Sequence, residues 1–253
     1  MLVRAQYRRF FNLTNENVGG PSRFRARAET ALGPRGCRES GMCRYSFVRT
    51  LVRIPAWVMD AHGQKLEGIL SHAAGLFAER GFDGTSIRDI AQQSGVSLSG
   101  LYHYFKSKDE LLYLIQKRSF ETLLATLETN LDASADAEKR LRTLVRTHLS
   151  FFLSHMPEMK VISHEGASLP QVYLDEIRGL KRRYVDLVEA LIRELRPFAT
   201  PSEHRVATFA LFGQLNWLYT WYRPGRDPSL DPLTDQMTGL LLHGIQGSWH
   251  SPT

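Results

Sequence analysis

Two short segments with helical apolar spacing flank a glycine, and this arrangement constrains the fold more than any other feature of the chain. In the first segment Ile87, Ile90 and Ala91 recur at helical spacing, so they share one buried face. Gly95 follows where a helix must stop and the chain must turn, because glycine tolerates a positive φ angle. Val96 anchors the turn, and a second short helix is predicted over residues 98–104. Two helices joined by such a turn form a helix-turn-helix.

The second helix of such a motif normally enters the major groove of DNA, so its exposed side should carry the base contacts. Thr85 is placed to cap the first helix, and either Thr85 or Ser86 can hold a phosphate at that helix N-terminus. Arg88 is the best charged candidate in the first helix. The candidates on the second helix are small or aromatic side chains with polar groups: Ser99, Gly100, Tyr102 and His103. Tyr104 is expected to combine packing with phosphate contact.

The motif lies in a longer pattern. Residues 81–91 read Gly-Phe-Asp-Gly-Thr-Ser-Ile-Arg-Asp-Ile-Ala, and Gly-Val-Ser at 95–97, Leu-Tyr-His-Tyr-Phe at 101–105 and Lys-Ser-Lys-Asp-Glu-Leu-Leu at 106–112 follow. Over about residues 62–112 the chain resembles the TetR family of bacterial transcription regulators. The resemblance implies an all-helical homodimer in which three N-terminal helices bind DNA. It also adds Ser97 and Lys108 to the expected DNA contacts, whereas Leu98 stands where many relatives carry Lys.

The rest of the chain is also predicted to be helical. Apolar residues at spacings of 3 and 4 predict about nine helices in all, and nothing is typical of a strand. Besides the two helices of the motif, they cover residues 64–80, 107–131, 136–155, 157–165, 170–195, 201–222 and 232–245. We therefore expect an all-α fold with a DNA-binding domain at 59–107 and a larger helical domain for ligand binding and dimerisation at 108–253.

The first 58 residues differ in composition from the rest. They hold eleven Arg, no Lys, three Glu and both cysteines. Their net charge is +8, whereas the net charge of the whole chain is only +6. A basic overall composition usually indicates a protein that binds nucleic acid, but here the excess positive charge lies outside the recognisable fold. This extension is interpreted as a disordered basic arm, a targeting peptide, or translated upstream sequence before a true start near Met59, and composition favours the third. The absence of cysteine from residues 59–253 fits a cytoplasmic location.

A second resemblance concerns residues 213–224, Gly-Gln-Leu-Asn-Trp-Leu-Tyr-Thr-Trp-Tyr-Arg-Pro. They are similar to the eighth helix of a TetR subgroup whose regulators often respond to acyl-CoA thioesters in fatty acid, aromatic or steroid breakdown. Arginines suit CoA phosphates because the guanidinium matches phosphate geometry. Alternatively, Arg223 caps its helix and Arg182 lies on a solvated face. The expected ligand-binding residues are Phe152, Tyr173, Arg182, Trp217, Trp221 and Arg223.

The last two predicted helices offer a dimer interface. Ala210 and Gly213 are small residues on one face of the eighth helix, which permits close helix approach, and the ninth helix contributes Met237 and Leu241. Together they predict a four-helix contact across a two-fold axis.

No catalytic site, metal site or cofactor is predicted. His148, His155, His164 and Glu165 have spacings that fit no standard ligand pattern, and no apolar run is long enough to cross a membrane. The sequence therefore predicts a transcriptional repressor that a small molecule, with an acyl-CoA as the candidate, releases from a palindromic double-stranded DNA operator. A sensor of hydrophobic drugs or metabolites that controls efflux, and a ligand-independent DNA-binding protein of chromosome organisation, stay open as alternatives.

Overall fold

The fold is a succession of α-helices. A computed structural model describes residues 61–165 and 169–244, and within these ranges every regular element is helical. The predicted all-α fold class is confirmed. The helices are α1 Ala61–Arg80, α2 Ile87–Ser94, α3 Leu98–Leu101, α4 Lys108–Asn130, α5 Ala137–Ser154, α6 Met156–His164, α7 Gln171–Leu195, α8 Pro201–Asn216, α9 Leu218–Trp221 and α10 Leu230–His243.

The junction between α1 and α2 uses two neighbouring hydroxyl residues in different ways. Ser86, and not Thr85 as the sequence suggested, is the N-cap of α2, and it forms a capping box with Asp89. The Thr85 side chain is buried, and its hydroxyl donates to the carbonyl of Gly81 at 2.9 Å. Thr85 therefore completes the end of α1, and Ser86 begins α2.

The turn of the helix-turn-helix has the predicted geometry. Gly95 lies in the left-handed region at φ 64°, and its N–H donates to carbonyls in the last turn of α2. The second helix is shorter than predicted: α3 ends at Leu101, and residues 102–104 continue as turns. The N–H of Tyr104 donates to the Leu101 carbonyl over three residues, which is the tighter 3₁₀ pattern common at helix ends.

Helix α4 connects the motif with the remaining helices. Its buried face runs the full length of the helix, from Leu111 to Leu127. It packs against α1, α5, α6 and α7, while α6 also packs closely against α1. The helix is therefore shared by the DNA-binding motif and the larger helical region.

The predicted eighth helix is interrupted at Trp217. The segments before and after the interruption are α8 and α9, and neither Gly nor Pro stands at the break. The Trp217 carbonyl accepts two hydrogen bonds from Thr220, one from its N–H at 3.1 Å and one from its hydroxyl at 2.7 Å. This carbonyl therefore closes a tight turn at the point where α8 ends.

The buried side chains form one hydrophobic cluster that extends from α1 to α10. All described residues belong to one compact unit of the chain. The N-terminal extension of residues 1–58, and the end of the last predicted helix at residue 245, lie outside the described residues. In the described part, no helix combines the length and the apolar character that a membrane span requires.

Candidate nucleic-acid interface and ligand cavity

The end of α3 and the turns after it present an exposed polar and aromatic surface. Tyr102 is 51% exposed, and Ser99 and His103 are also exposed. Leu101 and Phe105 are buried beneath them, so the exposed side chains are held by a fixed base. This surface has the hydroxyl and imidazole groups that can reach base edges or phosphates.

Three of the hydroxyls expected to contact DNA, those of Thr85, Ser86 and Ser97, are used within the chain. Thr85 is buried, as described above, and the Ser86 hydroxyl donates to the Asp89 carboxylate at 2.6 Å. Hydrogen bonds from Ser86 lower the pKa of Asp89, so this carboxylate is charged at the start of α2. Ser97 is the N-cap of α3 and accepts from the N–H of Gly100 at 3.1 Å. Contacts of these residues with phosphate stay predictions.

Three other expected DNA contacts have structural roles. A Cβ on Gly100 would lie 3.0 Å from Ser97 Oγ and from Val96 Cγ1, so the close approach that glycine permits here is internal. The Lys108 ammonium donates to the carbonyls of Phe82, at 2.8 Å, and Thr85, at 3.2 Å. The ring of Tyr104 is half-buried and stacks on His62. Lys108 thereby ties the first turn of α4 to the α1–α2 loop.

Exposed cations flank this surface. Arg88 on α2 is exposed, as predicted for a phosphate contact, and Lys106 in the loop before α4 is exposed as well. Lys106 was not among the predicted contacts, although its position directly after the buried Phe105 could have indicated a contact with DNA. A positive side chain near the recognition surface provides affinity that is independent of base sequence.

A small cavity lies among the helices of the larger region. Its volume is about 10 Å³, which is room for about one water molecule. It is lined by residues of α4, α5, α6, α7 and α8: Phe120, Leu123, His148, Met159, Lys181, Tyr184, Val185, Phe212 and Asn216. The cavity is therefore apolar along most of its wall, with four polar side chains.

The sequence predicted none of the cavity residues as ligand contacts, although two of them carry a readable signal. Lys181 lies on α7 four residues after Ile177 and three before Tyr184, both of which are buried. His148 similarly follows Leu144 by four residues and precedes Phe152 by four on α5. A titratable residue at an apolar position of an amphipathic helix is the signal that would have found both.

None of the predicted ligand-binding residues lines the cavity. Phe152 stacks on His148 with ring centroids 4.5 Å apart, and Tyr173 stacks on Tyr113 of α4 at 4.4 Å. Arg182 is exposed on α7 next to Lys181. Trp217 and Trp221 are each 42% exposed. Their contact with a ligand stays a prediction.

Arg223 has the capping role that was the alternative for it. Its guanidinium donates to the carbonyl of Tyr222 at 2.9 Å and to that of Thr220 at 3.4 Å. A guanidinium at the C-terminal end of a helix satisfies carbonyls that lack partners there. Its contact with CoA phosphates also stays a prediction.

The predicted dimer residues are divided between surface and interior. Ala210 is exposed on α8 and Gly213 is half-buried, and exposed Val206 and Trp217 lie on the same side of the helix. Met237 is buried and Leu241 half-buried on α10. Ion pairs from Arg142 and Arg146 of α5 to Asp235 and Asp231 hold α10 in place, at 2.6 and 2.7 Å. Helix α8 thus presents an uncovered apolar side.

Comparison with known proteins decides the family. Residues 69–113 match the model described as bacterial regulatory proteins, tetR family, and residues 134–245 match the tetracyclin repressor-like C-terminal domain. A solved TetR-family transcriptional regulator from Bordetella parapertussis is 30% identical, with a TM-score of 0.67, over 71% of this chain and 95% of that one. The chain belongs to the tetR family.

Two further relatives of this tetR-family regulator have a stated function. The transcriptional repressor KstR2 of Mycobacterium tuberculosis is 28% identical over 199 residues, which are 76% of this chain and 96% of KstR2. AibR, solved in complex with isovaleryl coenzyme A and operator DNA, is 27% identical, with a TM-score of 0.63, over 70% of this chain and 98% of AibR. The protein is thus a DNA-binding transcriptional regulator and not an enzyme, as its sequence predicted.

Proposed function

We propose that this tetR-family protein is a homodimeric repressor that an acyl-CoA thioester releases from a palindromic operator. Two similarities support the proposal: KstR2 is a transcriptional repressor, and AibR binds both isovaleryl coenzyme A and operator DNA. The structural support comes from the way α4 joins the cavity to the DNA-binding motif.

The double role of α4 is the observation that carries the proposal. Phe120 and Leu123, in the middle of α4, line the cavity. Lys108, in its first turn, is bonded to the carbonyls of Phe82 and Thr85 directly before α2. A ligand that displaces the middle of α4 therefore also displaces the helix-turn-helix.

A second connection runs through α6. Met159 lines the cavity, and Glu165 at the end of the same helix accepts from the N–H of Phe82 at 3.4 Å. Helix α6 also packs closely against α1. Movement of either cavity wall would thus reach the α1–α2 loop.

The size of the cavity sets the direction of the response. A space of about 10 Å³ cannot hold an acyl group, so a ligand must separate the helices to enter. The ligand then binds the separated arrangement better than the described one, and this difference in affinity is what shifts the population. If the operator binds the described arrangement better, the operator and the small-molecule ligand each weaken the binding of the other.

The acyl and CoA parts of the ligand are assigned to different places. The cavity, once widened, receives the acyl group, because most of its wall is apolar. Arg182 is exposed on α7 beside the cavity residue Lys181, so its guanidinium is available for phosphate at the outer end of the ligand. Trp217 and Trp221 remain candidates for contact with the rest of the CoA.

The experiment measures operator binding by the purified full chain, with fluorescence anisotropy, on an operator selected from genomic DNA. Acyl-CoAs of increasing chain length, the matching free acids and CoA itself are titrated into the complex. We expect at least one acyl-CoA to weaken operator binding by tenfold or more, and its free acid to act much less. If no acyl-CoA binds below about 100 μM, or if binding leaves operator affinity unchanged, the proposal is wrong. Release by hydrophobic drugs alone would favour an efflux sensor.

Two substitutions separate the two binding activities in this experiment. Tyr102→Ala should weaken operator binding by about 1–3 kcal/mol, the range of one good contact, and leave acyl-CoA binding unchanged. Arg182→Ala should weaken acyl-CoA binding and not the binding of the free acid. Arg193→Ala is the matched control, because Arg193 is an exposed residue of the same helix that pairs with Glu189 at 2.6 Å.

A further inference from the structure

Leu98, the first residue of α3, is an exposed apolar side chain on the second helix of the helix-turn-helix. Its exposed fraction is 38%, and no other leucine in residues 61–165 and 169–244 is exposed, since the rest are buried or half-buried. A single exposed leucine is ordinary on a protein surface, so the surroundings of Leu98 decide what it can do.

The polar groups beside Leu98 are used within α3. The Ser97 hydroxyl accepts from the N–H of Gly100 at 3.1 Å, and the hydroxyls of Ser97 and Ser99 are hydrogen-bonded to each other at 3.2 Å. Gly100 has no side chain, and a Cβ there would lie 3.0 Å from Val96 Cγ1. Leu98 is therefore the largest exposed side chain at the beginning of α3, and it is wholly apolar.

Tyr102 extends this apolar surface. It follows Leu98 by four positions, and its backbone is still in the right-handed helical region at φ −69°, so the two side chains lie on the same side of the helix. Tyr102 is 51% exposed, and the buried side chains of Leu101 and Phe105 lie beneath it. Leu98 and Tyr102 thus form one strip on the helix that normally enters the major groove.

The edges of the bases in the major groove offer one kind of apolar group. Guanine, adenine and cytosine present hydrogen-bond donors and acceptors there, whereas thymine also carries a C5 methyl group. A leucine that covers a donor or an acceptor removes it from water without replacing its hydrogen bond, which costs free energy. A leucine that covers the methyl group withdraws apolar surface of both partners from water. Among the four bases, thymine therefore suits Leu98 best.

We propose that Leu98 recognises one thymine in each half of the operator by packing against its C5 methyl group. Leu98 is then a specificity-determining residue that acts without a hydrogen bond. This inference concerns the DNA sequence that is bound, and it does not depend on the acyl-CoA response. It requires binding to weaken when that methyl group alone is removed from the operator.

The test replaces each thymine of the operator by deoxyuridine, which lacks the methyl group and pairs in the same way. The operator is selected from random double-stranded DNA with the full chain, and binding is measured by fluorescence anisotropy at one fixed salt concentration. We expect one replacement to weaken binding by about fourfold in each half-site, the effect of one methyl group left in water. Replacements at thymines outside the contact should have no such effect.

Variants establish whether Leu98 is the residue that senses the methyl group. Leu98→Ala is too short to reach it and should bind the thymine and deoxyuridine operators equally. Gln93→Ala is the matched control, because Gln93 is an exposed residue of similar size on α2, and it should keep the full difference. A loss of folding would weaken binding to both operators, whereas the proposal requires the ratio of their affinities to change.

Leu98→Lys gives a second readout that does not depend on deoxyuridine. A lysine places a charged donor where the apolar side chain was, and a donor is attracted to the acceptors of guanine or to phosphate. Operators selected with this variant should therefore no longer be enriched in thymine at the sensitive position. Unchanged enrichment of thymine there would mean that Leu98 does not select this base.

The outcomes separate this inference from the proposed function. The inference is overturned if no thymine is sensitive to deoxyuridine, or if Leu98→Ala keeps the full effect and Tyr102→Ala removes it. Either result leaves the acyl-CoA response intact. An operator that no acyl-CoA releases overturns the proposed function, and the deoxyuridine result still stands. Selection that enriches no DNA sequence would overturn both.

Discussion

At the scale of the residue, the most unusual placement is that of Lys181. Lys181 is 5% exposed, and this burial, which removes most of the hydration of its ammonium, is the main cause of its lowered pKa. Its charged form is therefore less stable in the folded chain than in the unfolded one.

Lys181→Met should raise the stability of the ligand-free protein. The shift of the Lys181 pKa from 10.5 to about 8 corresponds to a penalty on the order of 3 kcal/mol near pH 7. As the pH rises from about 8 to 10.5, the folded chain loses this proton before the unfolded chain does. The unsubstituted protein should therefore gain stability over this range, and its difference in stability from the Lys181→Met variant should shrink. Urea unfolding at pH 7 and pH 10 measures this, and a variant that is less stable at pH 7 would show that the ammonium is stabilising.

The sequence predicted the exposure of Tyr102 correctly, but it predicted hydrogen-bond partners poorly. Tyr102 was expected on the exposed side of the recognition helix, and it is exposed because buried Leu101 and Phe105 fix its orientation. The roles of Thr85 and Lys108 depend on where the carbonyls of the α1–α2 loop point, which the sequence does not specify. The burial of Lys181 was missed because a lysine is ordinarily exposed. Its position on the apolar face of the helix indicated burial, but the residue type was given more weight.

At the scale of the element, α4 is held to α7 by a polar and aromatic contact. Glu176 of α7 pairs with Lys117 at 2.7 Å and accepts from the hydroxyl of Tyr113. The hydrogen bond from Lys117 to Glu176 raises the pKa of Lys117 to about 12. The Tyr113 ring stacks on Tyr173 beside this pair. The contact stabilises the described arrangement, in which the cavity is small.

Glu176→Gln should make operator release more sensitive to the effector. Removal of the charge weakens the α4–α7 contact, and partly exposed pairs of this kind contribute about 0.2–1 kcal/mol, so the effector concentration for half-release should fall by up to about fivefold. Anisotropy titrations of the operator complex measure it. Asp175→Asn is the matched control, because Asp175 pairs with Arg178 within α7, at 3.1 Å. An unchanged or higher half-release concentration would mean that this contact does not oppose opening.

Most helix boundaries could be predicted because side chains near the boundary determine them. Ser97, Ser107 and Asp136 each cap a helix at the position that their residue type indicates. The break at Trp217 could not be predicted, since neither Gly nor Pro stands there to mark it. The cavity was equally hidden, because it depends on how five helices pack together.

At the scale of the whole molecule, the uncovered apolar side of α8 is the proposed dimer interface. Val206 is 66% exposed, and Ala210 and Trp217 lie on the same side of the helix. A two-fold axis at this side would bring α8 of one protomer against α8 of the other, with small residues allowing close approach. Dimerisation of this kind would also fix the distance between the two recognition surfaces.

Ala210→Arg should produce a monomer. The substitution places two like charges near the proposed two-fold axis, where they would be desolvated and would repel each other. Light scattering after size exclusion gives the mass, and operator binding should fall because a palindrome needs both protomers. Val172→Arg is the control, since Val172 is 77% exposed and lies on α7 and not on α8. A dimeric Ala210→Arg variant with unchanged operator affinity would place the interface elsewhere.

The bond between Lys108 and the α1–α2 loop gives α4 the geometry of a lever. Lys108 and the cavity residue Phe120 are twelve positions apart, which is about 18 Å along a helix. If α4 tilts by about 5° at the cavity, the fixed rise of the helix carries its first turn sideways by about 1.6 Å. Half-sites on DNA repeat at about 34–36 Å, and a shift of this size on each protomer changes their separation by several per cent. A small rotation of α4 at the cavity is therefore enough to change the separation of the two recognition surfaces.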